Sequence, residues 1–312
     1  MPAIAVADAL RASGRAEVSF LGTRERAEAQ LVPAAGYEID FLRVSGLDRR
    51  NPLRAAAAAG RAAAAVRVAR RLLRERRAGA VLGGGGYVAG PAGLAAVTMG
   101  VPLVLTEADS HLGLANRLLA SRARRVCLAF PIAGREGDPY LVTGRPVPAG
   151  VLEADRGAAR RRFGIAEGDR CITVVGGSLG ARSINEAALA AFAGAASEEA
   201  PDAPWIVHVA GRRDYPRLRA RLEARGGLDR YLLLDYEPSL GEVLAAADLV
   251  VSRAGGSVME IAVAARPAIL VPYPHATADH QTTNARWMAD GGAAIVIPDA
   301  ELDAGRLGRE AS

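Results

Sequence analysis

Residues 171–196 read CITVVGGSLGARSINEAALAAFAGAA. Five apolar or β-branched residues, Cys171 to Val175, run into Gly176-Gly177-Ser178-Leu179-Gly180, and a segment with helical periodicity follows. Parallel strands covered on both faces read as unbroken apolar runs of this length. A strand, a glycine turn and a helix in that order open a βαβ unit. Glycines let the backbone come close to a diphosphate, and free amides at the positive end of the next helix stabilise its charge. Gly177, Ser178 and Gly180 are therefore candidate phosphate contacts, with a plain tight turn as the alternative. Neither the Walker pattern nor the nicotinamide fingerprint with its downstream acid is matched.

The same alternation extends in both directions. AEVSFLG, IDFLRV, AVLGGGG, PLVLTEA, RRVCLAF and YLVTG precede it, and WIVHVAG, YLLLDY, DLVVSRAG, AILVPYP and AAIVIPD follow. Short strands separated by helix-length segments predict an α/β protein with parallel, doubly wound sheets. GRPVPAG at 144–150 interrupts the pattern, and a length of 312 residues suits two domains of about 150 each. The expectation is two Rossmann-like domains, 1–145 and 146–312, facing a cleft where ligands meet the carboxyl ends of the strands. Met1 to Ala12 already reads as a helix, so the first strand and turn of the leading domain are expected to lie before Met1.

All 39 basic residues are arginine. No P-loop lysine and no Schiff-base lysine is available. The net charge of +5 is uneven: residues 1–150 hold 21 Arg against 12 acids, and 151–312 hold 18 against 22. Such a basic half suits a polyanionic partner. Eleven of the arginines fall between Arg43 and Arg77, against Asp48 and Glu75. Arg67, Arg70, Arg74 and Arg77 share one helix face opposite Ala65, Ala69 and Leu72, so an anionic membrane surface or plain solvent would meet them. Aromatic residues are absent from this stretch, which argues against nucleic-acid stacking. Cys127 and Cys171 sit in apolar runs and read as buried thiols. No apolar run approaches the roughly 18 residues that span a bilayer.

Three more clusters carry candidate chemistry. In SRAGGSVME, Gly255 and Gly256 form a turn before a helix with Glu260 in its first turn, placed to accept hydrogen bonds from a ribose diol. In PYPHATADHQTTNARW, His280, Gln281 and Asn284 open a helix with donors and acceptors suited to sugar hydroxyls. His275, Asp279 and His280 do not complete a metal site, and no metal or cofactor is expected. In PLVLTEADSHLG, Glu107 and Asp109 stand at a strand end as base candidates or as helix caps.

GGGGYVAGPAGLAA, GLANRLLA, VVGGSLGARSIN, SRAGGSVMEIA and PAILVPYPHATADHQTTNARWM, in this order over nearly the whole chain, resemble the MurG family of glycosyltransferases, glycosyltransferase family 28. The resemblance implies the GT-B fold and inverting transfer of N-acetylglucosamine from UDP-N-acetylglucosamine to lipid I, undecaprenyl-diphospho-muramoyl-pentapeptide, in peptidoglycan synthesis. It places the donor on the second domain and lipid I on the first, at the cytoplasmic face of the membrane, with no nucleic acid involved. Ser178 matches the serine near the donor diphosphate, Glu260 the ribose glutamate, and His280-Gln281 the pair that reads sugar hydroxyls. Glu237 falls where the family meets the uracil through main chain, and Asp109 where it usually has an asparagine. Thr106 replaces a family histidine, Leu179 a glutamine, and Pro148 a donor-contacting arginine. By the same comparison the chain is expected to be shortened at both ends, lacking a leading glycine loop with its histidine and the closing helices. A donor-binding fragment without turnover, a UDP-sugar epimerase and a glycolipid glycosyltransferase of the same fold are the alternative readings.

Overall fold

The computed structural model describes residues 2–44, 52–177, 180–193, 203–226, 229–276 and 279–312, with backbone only for 52–59. The chain divides into two compact units, 1–146 and 147–312.

Unit 1 runs α1 (Pro2–Ala12), β1 (Phe20–Gly22), α2 (Glu28–Ala34), β2 (Ile39–Phe41), α3 (Pro52–Glu75), β3 (Val81–Gly83), α4 (Gly86–Thr98), β4 (Leu103–Glu107), α5 (Leu114–Leu119), β5 (Arg125–Leu128) and β6 (Tyr140–Val142). All strand pairs are parallel, but they form two sheets, β1-β2 and β3-β4-β5-β6. One apolar core joins them: Leu21 and Leu42 beside the first pair pack with Ala69, Leu73, Ala95 and Ala96 of α3 and α4, as does Val81 of β3. α3 lies along α4, where alanines allow close approach.

Unit 2 runs α6 (Ala149–Leu152), α7 (Arg156–Arg162), β7 (Cys171–Val175), α8 (Arg182–Phe192), β8 (Trp205–Val209), α9 (Tyr215–Glu223), β9 (Tyr231–Leu234), α10 (Leu240–Ala246), β10 (Leu249–Ser252), α11 (Ser257–Val263), β11 (Ala268–Leu270), α12 (His280–Asp290), β12 (Ala294–Val296) and α13 (Ala304–Ala311). The spacing predicts one helix from Glu153 to Phe163; instead the Asp155 carboxylate accepts from the Ala158 amide and starts α7 afresh. Six parallel strands order as β12-β11-β10-β7-β8-β9. All five β7 residues are buried, as its unbroken apolar run predicts. One face is covered by α8 and α13 through Ile184, Leu189 and Leu307, the other by α7, α10 and α11 through Ala159, Val243 and Val258.

Arg156, Arg160 and Asp248 anchor the start of β7. Both guanidiniums meet the Asp248 carboxylate, which also accepts from the Cys171 amide at 2.8 Å. Burial raises the Asp248 carboxyl, yet the amide and the two arginines outweigh it and hold the group below the usual carboxylate range. Burial pushes the Cys171 thiol up to about 12, in keeping with an inert thiol. The tightest helix contact is at Gly241, where a Cβ would overlap the Gly150 carbonyl oxygen and lie 2.8 Å from the Val151 Cα. Gly241→Ala is expected to lower unfolding free energy by about 1–3 kcal/mol. Gly150→Ala, with open space at its Cβ, should be neutral or slightly stabilising. Urea denaturation of the two variants checks the pair.

Candidate active site

In unit 2 the helix after β7 and the helix after β10 leave on opposite faces of the sheet. A crevice opens where strand order reverses, at the carboxyl ends of these two neighbours. The turn after β7 supplies one wall. Gly177 and Gly180 take φ of +83° and +76°, and the Gly180 amide donates to the Gly177 carbonyl at 2.9 Å. A Cβ on Gly176 would lie 2.5 Å from the Ala181 nitrogen, so the turn doubles back tightly on the start of α8. α8 begins without a side-chain cap, which leaves its first amides available to an anion. Ser178 and Leu179 lie outside the described residues.

The loop after β10 supplies the other wall, and Arg253 knits it to its surroundings. Its guanidinium donates to the Val271 and Pro272 carbonyls, each at 3.2 Å, and to the Ser183 hydroxyl at 2.7 Å. It also pairs with Asp299, which accepts from Ser183 at 2.6 Å, and it stacks over Tyr273. Sequence reasoning missed this residue; its position inside SRAGG was the available signal. Gly255 and Gly256 follow, then Glu260 in the first turn of α11, half-buried. From α12, Gln281 accepts from the Tyr273 amide at 3.0 Å, and its Nε2 lies 3.8 Å from where a Gly255 Cβ would sit. Asn284 is 1% exposed and donates to the Ala254 carbonyl at 3.2 Å. The structure thus gathers Gly255, Gln281 and Asn284 into one cluster, in which the buried Asn284 braces the loop from below. His280 opens α12 beside them. Among the described residues no group of His, Cys, Asp and Glu is placed to hold a metal.

Glu237 stands apart from that cluster. Its carboxylate accepts from Arg162 at 2.7 Å and from the Ser239 amide at 2.8 Å, so its side chain is spent on holding the loop ahead of α10.

In unit 1, Glu107 ends β4 and is 9% exposed. One oxygen accepts from the Ala108 and Asp109 amides at 3.1 and 3.4 Å, the other from the Gly113 amide at 2.8 Å and the Asn116 side chain at 2.9 Å. A carboxylate offers about four lone-pair sites, and these four donors occupy them. Such geometry makes Glu107 the internal support of loop 108–113. Asp109 is half-buried and its carboxylate has no side-chain hydrogen bond among the described residues. Farther back, Arg67, Arg74 and Arg77 on and after α3 are exposed and Arg70 half-exposed, while Ala65, Ala69 and Leu73 face inward. Leu72, partly buried, packs against the same core, and Leu73 completes the buried side. Arg49, Arg50 and the side chain of Arg54 lie outside the described residues.

Two parallel α/β units, the second with a glycine turn, a carboxylate and an amide-bearing helix at its switch point, define the class of fold as GT-B, and the family match makes it that of a glycosyltransferase. Residues 1–128 match the glycosyltransferase family 28 N-terminal domain and residues 171–310 its C-terminal domain. The chain is 40% identical to the UDP-N-acetylglucosamine--N-acetylmuramyl-(pentapeptide) pyrophosphoryl-undecaprenol N-acetylglucosamine transferase of Moorella thermoacetica, over 98% of this chain and 84% of that protein. It is 39% identical to the protein of the same name in Salinibacter ruber, over 97% and 81%. The crystal structure of Acinetobacter baumannii MurG superposes with a TM-score of 0.75 at 31% identity, covering 99% of this chain and 85% of that one. A putative UDP-N-acetylglucosamine 2-epimerase from Listeria monocytogenes reaches 0.67 at 16% identity, a likeness of fold alone. The chain belongs to glycosyltransferase family 28, among its MurG members.

Glu107→Ala is expected to strip the Gly113 amide of its partner and leave Asn116 with the Thr106 carbonyl alone. Unfolding free energy should fall by about 1–3 kcal/mol, and exchange of the Gly113 amide should accelerate. Urea denaturation and hydrogen exchange followed by NMR read the two effects.

Proposed function

We infer that this chain is a UDP-N-acetylglucosamine-dependent glycosyltransferase of peptidoglycan synthesis, which glycosylates lipid I to give lipid II. The observation that carries the reading is the switch-point cluster of unit 2 in a chain so similar to the named transferases. The acceptor's muramoyl 4-hydroxyl attacks the anomeric carbon, the bond to UDP breaks, and configuration inverts in one displacement. Negative charge grows on the departing diphosphate. The Gly177 amide, the Ser178 hydroxyl and the positive end of α8 are suited to receive it, the Gly180 amide being engaged by the Gly177 carbonyl. Glu260 takes the ribose hydroxyls, and His280 with Gln281 reads the sugar. Glu237 contributes through its backbone, its side chain being held by Arg162. Asn284 and Arg253 keep the second loop in register.

For the proton of the attacking hydroxyl, Asp109 is the proposed base and Glu107 its support, since the oxygens of Glu107 are already engaged. Lipid I is assigned to unit 1. The arginine face of α3 is suited to an anionic membrane surface, and no helix among the described residues is long and apolar enough to cross one. The resemblance to the MurG family and the arginine face support a place at the cytoplasmic membrane surface, with the links to cell shape and division that lipid II supply would entail.

Incubation with radiolabelled UDP-N-acetylglucosamine and a lipid I analogue should give labelled lipid II. Absence of transfer, with UDP still bound, favours the donor-binding reading; free epimerised sugar made without acceptor favours an epimerase. Asp109→Ala should lower kcat by about 10²–10⁴-fold with little change in the donor KM, whereas a kcat within about twofold of the parent in Asp109→Asn, the residue the family usually has there, would overturn the assignment of Asp109 as base. Replacing Arg67, Arg70, Arg74 and Arg77 by Ala should weaken co-sedimentation with anionic vesicles by about 1 kcal/mol per arginine near the surface. Added salt should produce a similar loss in the parent protein.

A further inference from the structure

Strand β8 carries His208 on the face that packs beneath α8, among Ile206, Ile184 and Leu189. The ring is fully buried, and both of its nitrogens are used. Nε2 lies 3.0 Å from Asn185 Oδ1, and Nδ1 lies 2.7 Å from the Tyr231 hydroxyl on β9.

The donor inventory settles where the protons are. Asn185 Nδ2 faces the Ala210 carbonyl at 2.9 Å and the Asp214 carboxylate at 3.1 Å, which only accept. The amide is therefore oriented with Oδ1 toward His208, and Oδ1 also only accepts. Nε2 must carry the hydrogen, which leaves Nδ1 as the acceptor of the Tyr231 hydroxyl. A doubly protonated ring, with the Tyr231 oxygen accepting, is disfavoured by full burial, so the ring is the neutral Nε2–H tautomer. Burial agrees, drawing the His208 pKa down to about 3 and the Tyr231 hydroxyl above its ordinary value.

Asn185 is what this tautomer holds, and Asn185 stands where three parts of the glycine turn's frame converge. It belongs to the first turns of α8, it grips the Ala210 carbonyl just past β8, and it restrains Asp214 together with Arg213. Gly180 fits against the same two groups. A Cβ there would overlap the Ala210 oxygen and lie 3.1 Å from the Asp214 carboxylate. The Asn185 amide thus sets both the seat of the turn and the direction of the acidic group beside it.

We propose that His208 is a positioning residue for the diphosphate: through Asn185 it holds Gly180 and the start of α8 in place beside the diphosphate site and keeps the Asp214 carboxylate turned from the incoming phosphates. The proposal rests on the reading that this turn takes the donor's diphosphate. His208 touches no substrate. Its removal lets Asn185 rotate, loosens the seat of Gly180 and frees a negative charge next to the phosphate site.

The test compares UDP with uridine, because the affinity gap between them reports the phosphate contacts. Titration calorimetry on the full chain should find UDP bound more tightly than uridine. In His208→Leu, UDP binding should weaken by about tenfold while uridine binding stays within about twofold, and the donor KM should rise with kcat and the acceptor KM little changed. His208→Gln, whose amide supplies an N–H in place of Nε2–H, should restore UDP affinity to within about threefold of the parent. Should His208→Leu fail to fold, Tyr231→Phe decides: it removes only the hydroxyl donated to Nδ1, and a smaller loss of about threefold, again confined to UDP, is expected. A parent-like gap in the variant that is measured overturns the proposal, as does an equal weakening of UDP and uridine. No gap in the parent itself would overturn the reading of the turn, and the role of His208 with it.

Discussion

Strand β7 is hydrogen-bonded to β8 on one side and β10 on the other, and the organisation of unit 2 depends on that double pairing. Parallel strands are joined by right-handed crossovers, so successive strands added to opposite edges send their helices to opposite faces. Between the first pair of such helices the sheet edge is uncovered. The backbone amides after β7 and the loop after β10 are left facing one crevice, with no need for long loops to bring them together. A site placed this way inherits its rigidity from the buried strands beneath it.

Arginine does much of the holding in this chain. Arg156 and Arg160 tie α7 to Asp248 and to the carbonyls at the end of α10. Arg253 binds three separate segments at one point: residues 271–272, Asp299 and Ser183. A planar guanidinium with five donors can satisfy several carbonyls and a carboxylate together, which an ammonium on a flexible stem does less well. The absence of lysine is thus compatible with ordered polar interiors, and it leaves transfer chemistry to amides, hydroxyls, carboxylates and a helix dipole.

Residues of one type play opposite parts according to what surrounds them. Glu107 and Asp109 are two positions apart at the same strand end, yet the first is enclosed by four donors and the second is not. Asn116 and Asn284 are both almost fully buried, each bracing a loop through its side-chain amide. The reading that Asn284 belongs to the sugar-binding set is refined by this: its amide supports the loop that carries Gly255 and Gly256.

From the sequence alone, the twelve strands among the described residues and the glycine turn after Val175 were legible, as were helices between the strands apart from the one expected from Glu153, because apolar runs and helical periodicity are local in the chain. Gly255 and Gln281 were also singled out by residue type and position, and the structure brings the two together. The division of the unit 1 strands into two sheets was not legible, since strand pairing is decided between segments far apart. Nor was the engagement of Glu107, the hub at Arg253, or the tautomer of His208. In WIVHVAG a histidine reads as one polar residue in a buried strand; only packing brings Asn185, 23 residues before it, and Tyr231, 23 after it, within hydrogen-bond reach. Local pattern determines which elements form. Which polar groups they bury together, and which remain free to act, follows from tertiary contacts, because a hydrogen bond depends on distances that no single segment sets.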